Sequence, residues 1–135
     1  MKNTNIKVYI SIFWDTFNIE ELTKILWITP TESYYKWDKS LIFKTAPIRK
    51  ETCWEYSTLS IETYELDKVF IIIVNTFKKK IDLINKFVKE NNLFVKLFIV
   101  PIIENWITPT LYFNREIIDF AYNLNAEIDI DMYVN

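Results

Sequence analysis

The stretch from Thr108 to Val134, TPTLYFNREIIDFAYNLNAEIDIDMYV, constrains the fold more than any other. Its end alternates without exception. Ile128, Ile130, Met132 and Val134 fall on one side, and Glu127, Asp129, Asp131 and Tyr133 on the other. A period of two over eight residues is the pattern of a strand with one face turned to a core. Before it, Asn114 is placed to cap a helix reaching about Leu124. Glu116 lies near the positive end of that helix dipole, and Ile117, Ile118, Ala121 and Leu124 are spaced to face inward. Asn125 suits a left-handed C-terminal cap.

The start of the chain echoes this unit. Ile6, Val8, Ile10 and Ile12 alternate with Lys7, Tyr9 and Ser11 as a half-buried strand over Asn5–Phe13. Asn18 then opens a helix through Trp27, with Glu20 and Glu21 in its first turn, an apolar stripe of Ile19, Leu22, Ile25 and Leu26, and Pro30 as the stop. Phe17-Asn18-Ile19-Glu20 parallels Phe113-Asn114-Arg115-Glu116, each phenylalanine standing where it can staple the helix start. A duplicated strand–helix–strand unit is one reading of this echo. Chance similarity in a chain so rich in Phe, Asn and Ile is the other.

Between the two units, Tyr34, Tyr35 and Trp37 favour a strand and Asp38-Lys39-Ser40 a turn. Leu41 to Glu51, with Pro47, reads as an irregular connection. Thr52–Ser60 alternates as a strand, and its two large aromatics favour burial of the Trp54 face. Glu65–Asn91 carries helical spacing, with a break expected near Asn75 to Lys78 and a stop at Asn91-Asn92. Leu93–Ile103 is apolar on both faces apart from Lys96 and reads as a central strand, whose pairing should end or bulge at Pro101. The expected fold is one α+β domain over residues 1–135, an antiparallel or mixed sheet with helices packed on one face.

Composition narrows function mainly through what is missing. With His 0, a histidine base, a Ser–His–Asp triad and an imidazole metal site are excluded. With Gly 0, every glycine-rich phosphate loop is excluded, and with Cys 1 so are an internal disulfide and a cysteine-rich zinc site. Lys+Arg 16 against Asp+Glu 18 leaves no basic stripe for nucleic acid. The apolar runs Val69–Val74 and Leu97–Ile103 are too short to span a bilayer, and Met1–Lys7 is polar rather than signal-like, so a cytoplasmic protein is expected.

Three stretches carry a family resemblance. They are VYISIFWDTFNIEELTKILWITPTESYYKWDK (Val8–Lys39), Arg49–Thr58 with its WEYST, and Thr108–Val134. Together they resemble the DUF4279 family, small bacterial proteins without an assigned activity. The chain departs from that pattern in glycine, which relatives carry near Trp37 and before the last strand, where this chain has Lys36 or Asp38, and Asn125. The resemblance implies no catalytic residues. Some similar small proteins look like immunity proteins, which neutralise a toxin.

The functional expectation is therefore a non-catalytic module that binds and occludes a basic, toxin-like partner, using no cofactor, nucleic acid or membrane. Glu127, Asp129, Asp131 and Trp106 are the candidate contacts. Neighbouring acids on one strand face stand roughly 7 Å apart, too far to share a metal unaided, but clustered charge steers association. The rival expectation is a ligand-binding or enzymatic domain with a groove lined by Trp37, Trp54 and Tyr56. Cys53, with no histidine near, reads as a small core residue.

Overall fold

In the computed structural model, which describes residues 2–39 and 48–135, the alternating stretches assemble into one open mixed sheet with helices on one face. The elements run β1 (Asn5–Trp14), α1 (Ile19–Leu26), β2 (Glu32–Tyr34), β3 (Thr52–Ser57), β4 (Ile61–Glu62), α2 (Leu66–Phe77), α3 (Ile81–Asn91), β5 (Phe94–Ile103), α4 (Arg115–Asn123), β6 (Glu127–Ile130) and β7 (Tyr133–Val134). The sheet order is β2-β3-β1-β5-β6, with β4 continuing beside β1 and β7 beside β5. Most of the connection expected over Leu41–Glu51, and Ser40 of the expected turn, lie outside the described residues.

The antiparallel pair β1 and β5 forms the centre, in register from Asn5↔Ile102 to Phe13↔Phe94. Ile6, Val8, Ile10 and Ile12 of β1 and Val95, Leu97 and Ile99 of β5 are buried on the helix side. Against them α2 sets Leu66, Val69, Phe70, Ile73 and Phe77, and α4 sets Ile117, Phe120 and Ala121. Phe70 and Phe120 meet edge to face, with ring centroids 6.2 Å apart. No helix among the described residues is long and apolar enough to cross a membrane.

Both asparagine caps form. The Asn18 carboxamide oxygen accepts the Glu21 N–H at 3.0 Å, and that of Asn114 accepts the Ile117 N–H at 2.9 Å. The echo thus holds through strand, loop and capped helix, and then the halves diverge. After α4 the chain returns as β6, parallel to and beside β5. After α1 it returns as β2, and β3 separates this strand from β1.

Several boundaries differ from expectation, each for a local reason. The first helix ends at Leu26, because Trp27 enters the left-handed region with φ 58° and its N–H bonds Thr23 O, before Pro30 acts. The strand around Tyr34 is short. Its turn is centred on Lys36-Trp37, with the Asp38 carboxylate accepting the Tyr35 N–H at 2.8 Å. The long helical region is two helices, broken at Lys78–Lys80, slightly later than the spacing suggests.

Pro101 leaves β5 intact and instead interrupts the final strand. Asp131 N–H donates to Ile99 O at 2.9 Å. In a parallel ladder the Asp131 carbonyl should then receive the N–H of residue 101, which proline lacks. Pairing lapses at Asp131–Met132 and resumes at Tyr133 in the same register. The strict alternation is therefore one strand in register but two in hydrogen bonding.

Candidate functional site

The face of the sheet turned away from the helices is a half-exposed aromatic and charged surface. Alternation puts Lys7, Tyr9, Ser11 and Phe13 of β1 there, beside Phe94, Lys96 and Phe98 of β5 and Cys53 and Glu55 of β3. Tyr9 and Phe98 stack with centroids 4.5 Å apart, directly across the central strand pair. Lys96 reaches over Phe13 and Phe98, and Lys7 over Tyr9. Trp14 closes one end edge-on to Phe94 at 5.0 Å. The helices described pack on the other face, and on this one Ser11 and Cys53 are nonetheless buried. The sequence reads Lys7, Tyr9 and Ser11 as the polar side of β1 but β5 as apolar on both faces apart from Lys96, so the partial exposure of Phe94 and Phe98 differs from expectation. The one signal along β1 is the alternation of polar with aromatic residues at Lys7, Tyr9, Ser11 and Phe13.

Toward β2 the same face holds a polar knot around Cys53. The thiol sits 3.1 Å from Ser11 Oγ and 3.5 Å from Glu55 Oε1. Burial, then the Glu55 charge, pushes the Cys53 thiol up to about 12. A thiol so held is protonated at neutral pH and is a poor nucleophile. Arg49 stacks on the Tyr34 ring at 4.0 Å and lies 3.6 Å from Glu32.

Burial, and after it the charge of Glu32, raises the Glu55 carboxyl above the usual carboxylate range. A raised acid binds its proton more tightly in the folded chain than in the unfolded one. Its ionisation therefore lowers stability as pH rises from the ordinary range through the raised value. Glu55→Gln should remove that loss. Urea unfolding from about pH 4 to about pH 8 should show the variant gaining on the native chain as pH rises. A constant difference across the range would contradict this account of Glu55.

The acidic edge lies on the opposite side of the sheet from β2. Glu127, Asp129 and Asp131 are exposed, and the first two stand across from Lys96 and Phe98. None of them has a lysine or arginine within ion-pair distance among the described residues, where the pairs are Lys36–Asp15 and Arg49–Glu32. Asp131 instead accepts a hydrogen bond from the Tyr133 hydroxyl at 3.0 Å. No group of three or more acidic or cysteine side chains among the described residues is placed to hold a metal ion.

Trp106 stands at the end of this edge, 81% exposed. It belongs to a two-residue turn in which Ile107 N–H returns to Glu104 O at 3.1 Å, with Asn105 at φ 54° and Trp106 at φ 60°. Two successive positive φ values are the signature of a type I′ turn, whose second position ordinarily takes glycine. The turn is clamped from outside. Thr4 Oγ1 donates to Ile107 O at 2.6 Å, and Asn135 Nδ2 donates to Glu104 Oε1 at 2.7 Å. The second bond ties the turn to the end of β7.

The groove expected from Trp37, Trp54 and Tyr56 is not assembled. Trp54 is fully buried on the helix side, its indole N–H donating to Thr23 Oγ1 at 3.0 Å and its ring meeting Phe77. Tyr56 packs on Phe77 from the same side. Trp37 points outward at φ 79° and is 71% exposed, with Lys36 over its ring. A groove of about 680 Å³ lies elsewhere, between α2 and α4, lined by Val74, Lys78, Arg115 and Asp119 among others.

No curated protein and no solved structure matches the chain. A family model does match, over residues 4–135, and it covers all the elements described above. The chain belongs to the DUF4279 family, described as a domain of unknown function.

Proposed function

We propose that this chain acts by binding another protein through its acidic carboxy-terminal edge, in the manner of an immunity protein that occludes a basic toxin. The observation that carries the reading is the row Glu127, Asp129 and Asp131, exposed and held in no ion pair among the described residues. Clustered charge of one sign accelerates and orients encounter with a surface of the other. Trp106, rigidly clamped and exposed beside that row, supplies the aromatic anchor on which interface affinity concentrates. Its site of action is the cytoplasm, where a free thiol such as Cys53 persists. A rival reading, a small-ligand or enzymatic pocket, loses its lining when Trp54 and Tyr56 turn toward the helices.

The test is affinity capture from lysate of the source organism, run side by side with the native chain and with Asp129→Asn/Asp131→Asn. A basic partner retained at low salt and released at high salt is expected on the native chain alone. With that partner purified, the double variant should associate roughly tenfold more slowly at low salt and lose most of its salt dependence. Equal association rates would remove the acidic row from the interface.

A further inference from the structure

The backbone of the last strand says how the partner engages. A parallel ladder uses the peptide groups of alternate residues. Asp131 and Asn135 donate to Ile99 and Ile103, so the odd-numbered residues face β5. The N–H and C=O groups of Ile130, Met132 and Val134 therefore point outward, and no strand among the described residues meets them. The side chains of these three residues are 41%, 49% and 50% exposed on the helix side. The acids occupy the other side.

We infer that this edge accepts a further strand, donated by the partner, in which lysine or arginine alternates with valine, isoleucine or leucine over about six to eight residues. The inference deepens the binding role proposed above and rests on it. Charge complementarity selects the occupant. The pleat of an added strand places every second side chain against Glu127, Asp129 and Asp131, and the intervening ones against Ile130, Met132 and Val134. A second copy of this chain fits badly. Pairing two such edges about a twofold axis keeps both acidic rows on one face and sets like charges opposite each other, which is destabilising. Natural sheets guard free edges with proline or lysine. Glu127–Val134 has neither, and its acids repel its own kind while admitting a basic segment.

The experiment uses the full chain and fluorescein-labelled peptides of about eight residues. One alternates lysine and valine, and a second has the same composition in two blocks. Two further versions of the alternating peptide carry N-methyl groups on the lysine amides or on the valine amides. The alternating peptide should bind at least about tenfold more tightly than the block peptide in fluorescence anisotropy. Methylation of one amide set should abolish binding and methylation of the other should spare it, because only alternate amides face the edge. The valine set is sensitive if the added strand runs antiparallel, the lysine set if it runs parallel. Hydrogen exchange at Ile130, Met132 and Val134 should slow on binding. Equal binding of alternating and block peptides, equal sensitivity to both methylations, unchanged exchange at those amides, or no peptide binding would each overturn strand addition. Such a failure leaves the proposed function standing if Asp129→Asn/Asp131→Asn still weakens capture of the partner. Loss of that charge effect, with peptide binding intact, would instead overturn the proposed function.

Discussion

Trp54→Ala should cost about 3–5 kcal/mol of stability and lower the melting temperature by on the order of 10–20 °C, measured by urea and thermal unfolding. The indole is fully buried against Phe77, and its N–H is the donor that Thr23 Oγ1 accepts. Removing it leaves a cavity at the heart of the helix-facing side and takes away the hydroxyl's indole partner. A domain of this size has roughly 5–15 kcal/mol in total, so one side chain accounts for a large share. Trp37→Ala is the control, because that ring is largely solvated and should move stability by less than about 0.5 kcal/mol. Similar losses in the two variants would mean that Trp37 is packed in solution and that the separation of the aromatics is wrong.

That contrast marks where the sequence was legible. Strand and helix periods depend on neighbours along the chain, so the burial of Ile6, Val8, Ile10 and Ile12 and the caps at Asn18 and Asn114 were readable directly. The roles of individual tryptophans depend on which face of which strand meets a helix. Trp37 and Trp54 have equal apolar bulk; burial of the Trp54 face was readable from its strand, but the partner that buries it, through antiparallel pairing of β3 to β1 with Ile12↔Trp54, was not. The direction of the last strand was hidden for the same reason. Alternation fixes faces, not partners, and parallel pairing with β5 follows from the crossover through α4. The role of Pro101 required both. It was recognisable as a missing donor, but the group it leaves without a ladder donor, the Asp131 carbonyl, lies far along the chain on a neighbouring strand. The Tyr9–Phe98 stack on the uncovered face likewise needed the register of the two central strands.

Trp106→Gly should have opposite effects on stability and on binding. A bulky residue at the left-handed second position of a type I′ turn costs about 1–2 kcal/mol relative to an unstrained one, and glycine adopts that conformation freely. Glycine also widens the unfolded ensemble, at a cost of about 0.4–1 kcal/mol. The indole is so exposed that little burial is lost. The variant should therefore be more stable by about 0.5–1 kcal/mol in urea unfolding. Against the captured partner it should bind on the order of 30-fold more weakly, the loss expected when a central aromatic anchor worth about 2 kcal/mol is removed. Strain that the fold does not need is most readily explained by what the strained side chain does. The same left-handed geometry recurs at Trp27 and Trp37, but only Trp106 stands at the end of the acidic edge, tied to it through Asn135 and Glu104. A less stable Trp106→Gly chain would show that the indole supports the turn. Unchanged affinity would place the interface elsewhere and leave the strain at this turn without a binding role.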